Sequence, residues 1–230
     1  ESYITYSRGF NPSKSNVIKV GNKLSFYMHV LRTRIFGDHL NGSKLPTLKL
    51  IKTVKSINPD LIHLHQIHGY YLNVPLLFDF LKKYNKPVVW TLHDIWAFTG
   101  HCTYFRLENE NCNKWTSECN NCPKINNYPK SIYFDNSRSS FYTKKRLFNS
   151  LQDLTIVGVS NWITNQAKRS FLKNNSNKII EQDSNINIYS YQIKEISKTI
   201  LNKIKSPNFP VMSLNETVTN IKVVENWINY

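Results

Sequence analysis

Pro87 to Pro123, PVVWTLHDIWAFTGHCTYFRLENENCNKWTSECNNCP, runs from a short apolar strand into a His-Asp pair and then into four cysteines. Val88, Val89 and Trp90 form a β-type run opened by Pro87, and His93 and Asp94 stand at its carboxyl end. In open parallel α/β sheets the ligand crevice lies at the carboxyl ends of the strands, so the chemistry is expected at this junction.

Working outward, Asp60 to His65 (DLIHLH) reads as a strand after the Asn58-Pro59 turn. Leu77, Phe80, Leu81 and Tyr84 recur at helical spacing before the strand Pro87 to Leu92. Strand, helix and strand make a βαβ unit with a right-handed crossover and parallel strands. Leu154 to Val159 is a further strand, with Ser160 as N-cap of a helix through Ala167 to Leu172. Ser2 to Tyr6 and Ile221 to Val224 also read as strands. The expected fold class is α/β, a Rossmann-like parallel sheet flanked by helices, with a Cys-rich loop. Residues 1–173 form its body, 174–220 an insertion or appendage with an amphipathic helix through Ile193, Ile196, Ile200 and Ile204, and 221–230 a last strand.

Three more histidines crowd the end of the first βαβ strand in HLHQIHGYY: His63, His65 and His68. Period-two alternation puts His63 and His65 on one face. His63 reads best as a hydrogen-bonded histidine near a sheet edge. Gly69 supplies a turn or a close backbone approach to a ligand.

Cys102, Cys112, Cys119 and Cys122 are all the cysteines of the chain, within one segment rich in Asn, Thr and Ser. A Cys-x-x-Cys pair presents two thiolates to one metal, and two further cysteines complete a tetrahedral structural zinc site. The Cys102 to Cys112 spacing is longer than in a zinc ribbon, so two disulfides or four free thiols stay open. A redox pair fits less well, because Pro123 to Asn127 does not open a helix.

With 40% hydrophobic residues and 30 aromatics (5 Trp, 13 Tyr, 12 Phe) the 230-residue chain can bury a sizeable core, and no apolar run is long enough to span a bilayer. The net charge of +15 calls for an anionic partner. Residues 1 to 60 carry ten Lys or Arg against three Asp or Glu. Lys44, Lys49, Lys52 and Lys55 surround a helix with apolar positions Leu48, Ile51 and Val54, which reads as a solvated face or as a patch for an anionic membrane surface.

The ordered set NPDLIHLHQIHGYYLN, KPVVWTLHDIWAFTGHC, the Cys-rich loop, LTIVGVSNWITNQAKRSF and IKVVENWIN resembles the N-terminal domain of family 4 retaining glycosyltransferases, similar to colanic-acid-type and capsule enzymes. The resemblance implies half of a GT-B fold, in which this domain holds the acceptor and a second domain holds the nucleotide-sugar donor. Against the family pattern, the usual first strand with its glycine-containing loop is missing before Glu1 and the donor-binding domain after Tyr230, 221–230 resembles the start of the interdomain linker, and the chain reads as a fragment. His93 matches the family histidine that reaches toward the donor sugar, with Asp94 orienting it. The candidate site is thus His93 and Asp94 as catalytic pair, and His65, His68, Gly69 and Trp96 as substrate-binding residues. The expected partners are a sugar nucleotide, a glycan or lipid-linked acceptor and an anionic membrane surface, in a cytoplasmic protein peripheral to the inner face of the membrane.

The alternative is a non-enzymatic zinc-containing basic module that binds nucleic acid. Against it, Cys102 to Cys122 holds two basic residues (Arg106, Lys114) and three acidic ones (Glu108, Glu110, Glu118), so specific nucleic-acid binding is not expected.

Overall fold

A computed structural model describes residues 1–9, 15–104, 112–173 and 177–181. These fall in a unit spanning residues 1–182; the helix expected through Ile193 to Ile204 and the strand at Ile221 to Val224 lie outside the described residues.

Among the described residues two parallel sheets form the frame. β1 (Tyr3–Tyr6) pairs with β2 (Asn16–Lys19), and β3 (Ile62–Leu64), β4 (Val88–Leu92), β5 (Leu154–Gly158) and β6 (Asn177–Glu181) follow in sequential order in the second sheet. The register sets His63 opposite Val89 and Leu64 opposite Trp90. β6 falls within the 174–220 stretch that was expected to stand apart, and pairs along its whole length with β5. A groove of about 900 Å³ lies between β1 and β3, with His63, His65 and His93 among its walls.

Among the described residues five helices pack around the sheets: α1 (Lys23–Phe36), α2 (Lys44–Ile57), α3 (Val74–Tyr84), α4 (Ser137–Phe148) and α5 (Asn161–Arg169). α3 starts where the Asn73 side chain accepts from the Leu76 amide and Pro75 lies in the first turn, and it ends on Asn85 in the left-handed region. Ser160 caps α5 as expected, but the helix stops at Arg169, so Leu172 lies beyond it in the core. The stop is local: the Ser170 hydroxyl turns back to the carbonyl of Ala167.

β4 and β5 are central strands that bury Val88, Trp90, Leu92, Leu154 and Ile156 on one face, with Val89 and Val157 half-buried on the other. Trp90 is the hinge of the core, its ring 4.9 Å from Phe148 of α4 and 5.8 Å from Phe78 of α3. Gly158 ends β5 where α5 arrives: a Cβ there would lie 2.0 Å from Thr164 Oγ1, so no larger residue fits without moving the helix.

On α2 the inward stripe is Thr47, Leu50, Ile51 and Val54. Leu48, expected among the apolar positions, is 43% exposed. It lies one residue off the stripe's repeat, and the four lysines face solvent beside it.

Candidate active site at the strand ends

The carboxyl ends of β3 and β4 are neighbours, and their following residues converge. His63 and His65 share a face, ring centroids 4.2 Å apart, as period-two alternation requires. His63 bonds Thr91 Oγ1 at 2.8 Å, the role expected of a sheet-edge histidine. His65 Nδ1 lies 2.9 Å from His93 Nε2. One of those nitrogens must donate and the other accept, so the two rings share one proton and at least one is neutral. Burial, and then the neighbouring imidazoles of His63 and His93, lower the pKa of His65. The His65 backbone is pinned in turn, its carbonyl accepting from the Trp90 indole at 2.9 Å.

Asp94 does not orient His93. Its Oδ2 accepts from His68 Nε2 at 2.7 Å, and its Oδ1 accepts from the Trp96 amide at 2.9 Å. The cause is the chain's turn after β4: His93 continues along the strand end toward His65, while Asp94 folds back over the 3-10 turn Trp96–Phe98. A carboxylate only accepts, so His68 Nε2 carries the proton. His65, His68, His93 and Asp94 are thus gathered at one place, as two hydrogen-bonded pairs with different jobs.

Trp96, expected to touch substrate, is 1% exposed. Its ring lies behind His68, centroids 5.1 Å apart, and supports it from the core side. Gly69 lines an open pocket of about 450 Å³ with His68, Arg8 and Tyr128. Tyr128 donates its hydroxyl to the His68 carbonyl. Burial pushes the Tyr128 phenol well above its usual range, so it stays a donor. Arg8 and Tyr128 escaped the sequence reading, because each joins His68 at this pocket only through tertiary packing across some sixty residues.

Behind this layer His39 is buried, its two ring nitrogens without a partner among the described residues. It packs edge-on against Tyr70 at 4.8 Å and Trp96 at 5.7 Å. Burial, then the nearby His29 and His68, hold its pKa well below the usual histidine value.

The four cysteines converge on a small cavity of about 20 Å³ with His101 and Trp115. All four are free thiols, and among the described residues no group of three or more His, Cys, Asp or Glu is arranged to hold a metal ion. The expectation of one structural zinc is therefore not met. Instead Cys102 and Cys122 form a thiol pair 3.7 Å apart. Burial pushes the Cys119 thiol up to about 11. Gly100 lets this loop close on α4, since a Cβ there would meet the Ser137 carbonyl at 2.3 Å and the Cys119 Cβ at 2.6 Å.

The fold and the strand-end cluster together define a Rossmann-like α/β unit with its polar groups gathered at the parallel strand ends. The chain is 30% identical over 157 residues to WcaC of Escherichia coli (strain K12), a protein named for a provisionally assigned role as a colanic acid biosynthesis glycosyl transferase. The match covers 64% of this chain and 37% of that relative, so the chain spans well under half of the relative's length. No family model matches the chain, and no solved structure matches it.

Proposed function

We propose that the chain is the acceptor-side part of a GT-B glycosyltransferase. It would help move a sugar from a nucleotide-sugar donor to a glycan or lipid-linked acceptor, with retention, in cell-surface polysaccharide biosynthesis such as capsule or exopolysaccharide assembly. The observation that carries this reading is the His65–His93 pair at the open ends of β3 and β4, with His68–Asp94 beside it. A proton shared between two imidazoles lets His93 donate to or accept from a sugar hydroxyl, while His65 compensates. The His68 pocket, with Arg8 and tyrosines, offers hydrogen bonds and ring faces suited to a glycan. Stabilising the departing nucleoside diphosphate falls to groups outside this chain's site. The zinc-containing nucleic-acid module has no metal cluster among the described residues to rest on.

The test is transfer by the protein expressed from its own gene, with labelled UDP-, GDP- and dTDP-sugars offered over membrane extract as acceptor. Label should pass to glycan, and His93→Ala should reduce it by on the order of a hundredfold while melting stays cooperative. No transfer by the unmodified protein, or equal loss of folding and transfer in the variant, would overturn the reading.

The proposal extends to a cytoplasmic location at an anionic membrane surface. No helix among the described residues is long and apolar enough to cross a bilayer. Supporting surface contact, α1 exposes Leu24, Tyr27, Met28 and Leu31 in one row, at 70, 64, 58 and 51%. Ser43, at the start of the lysine-rich α2, bonds His29 of α1 at 2.9 Å. An apolar row beside cations is the makeup of an interfacial helix. Sedimentation with phosphatidylglycerol vesicles should capture the protein and phosphatidylcholine vesicles should not; equal binding to both, or undiminished phosphatidylglycerol binding by Leu24→Ser/Met28→Ser, contradicts it.

A further inference from the structure

Lys144 lies in the middle of the inward stripe of α4, among Ser140, Phe141, Leu147 and Phe148. A lysine on such a face normally snorkels its ammonium to water. Lys144 does not: it is 1% exposed. Its Nζ donates to the carbonyl of Trp96 at 2.7 Å and to that of Thr99 at 3.0 Å, and sits 3.6 Å from the centre of the Trp96 ring. Among the described residues no carboxylate forms an ion pair with it. Burying an ammonium without a counter-ion is costly, and a methionine would fill similar space without that cost. Packing alone therefore does not account for a lysine here, whereas the carbonyls it holds do.

Those carbonyls belong to the first residue of the 3-10 turn that follows Asp94 and to Thr99, the residue that caps its carboxyl end. A three-residue turn leaves its last carbonyls unbonded, and a cation at its carboxyl end satisfies them. Trp96 is consequently fixed at both of its peptide groups: its amide donates to Asp94 Oδ1 and its carbonyl accepts from Lys144. The other oxygen of Asp94 holds His68. Thr99, the second residue held, donates its hydroxyl to the Cys102 carbonyl at 2.6 Å, so the same ammonium also anchors the entry to the cysteine loop.

We infer that Lys144 is a positioning residue for the strand-end site: from the far side of the core it fixes the Trp96–Thr99 turn, and through that turn it aims the Asp94 carboxylate at His68. The inference concerns the geometry of the site and stands whichever reaction the site serves.

Imidazole-detected NMR of the 230-residue chain tests it, comparing wild type with Lys144→Met. The variant is expected to keep its circular dichroism, while the hydrogen-bonded Nε2 proton of His68 loses its slowly exchanging downfield signal. His29, bonded to the His39 carbonyl and Ser43, should not change. A folded Lys144→Met protein with an unaltered His68 signal overturns the inference. Should Lys144→Met fail to fold, the coupling is read from the other end. Asp94→Ala, at a partly exposed residue, should shift or abolish the slowly exchanging ammonium signal of Lys144. An ammonium signal indifferent to Asp94→Ala overturns the inference equally.

Discussion

Asp94 lies 2.7 Å from His68 and leaves its own chain neighbour His93 to His65, so the His-Asp pair of the sequence is not a pair in space. The two hydrogen-bonded couples can therefore be disturbed one at a time.

Asp94→Asn should weaken the hold on His68 while the His65–His93 contact survives. Losing a charge-assisted hydrogen bond in a partly exposed setting should cost about 1 to 2 kcal/mol, read from the urea midpoint. His65→Phe should instead free His93 and leave the His68 signal in place. Joint loss of both couples in either variant would show the site to be one unit.

Acid should destabilise the protein just below neutrality. His29, His39, His63, His65 and His101 all have folded pKa values lowered chiefly by burial. Below the ordinary value of 6.5 the unfolded chain binds protons that the folded chain refuses, so the stability present above that pH is lost as pH falls through it. The urea midpoint should be lower at pH 5.5 than at pH 7.5, at constant salt. His39→Leu should flatten the slope, because burial and the neighbouring imidazoles hold its pKa furthest below the usual value; an unchanged slope would place the titrating groups elsewhere.

Lys144 should act in the next window up. Burial lowers its folded pKa from 10.5 to about 7, so between those values the unfolded chain binds the extra proton and stability rises with pH. The window is read from pH 7 to 9, before the raised thiol of Cys119 and the raised phenols of Tyr70 and Tyr71, at about 11 and about 12, work in the opposite direction. Lys144→Met should abolish the rise, as followed by thermal melts across that range.

The cysteines should differ in reactivity. The hydrogen bond from Cys122 lowers the pKa of Cys102, while Cys119 and Cys122 are raised. Iodoacetamide at pH 7.5, with mass-spectrometric readout, should label Cys102 well before Cys119. Cys119 labelled first would contradict the described thiol environment.

What the sequence made legible followed from short-range periodicity. Alternation in DLIHLH put His63 and His65 on one face, and the apolar run before His93 located the neighbouring strand end. The partner of Asp94 was hidden because it depends on how the chain turns after Leu92, which no spacing encodes. Lys144 was hidden differently: Phe141, Lys144 and Phe148 keep helical spacing, but the run Lys144-Lys145-Arg146 reads as a solvated face. Its partners lie 45 and 48 residues earlier in the chain. The cysteine spacing could not separate a metal site from packed thiols, since both need the same loop closure.

The central claim is that the strand-end histidines receive a sugar substrate, and imidazole-detected NMR titration of the chain with an acceptor glycan and with nucleotide sugars tests it most directly. The account predicts that His65, His68 and His93 signals move together with one saturating curve while buried His29, His39 and His101 stay still. Unmoved strand-end histidines, or a response to oligonucleotides that survives moderate salt, would contradict it.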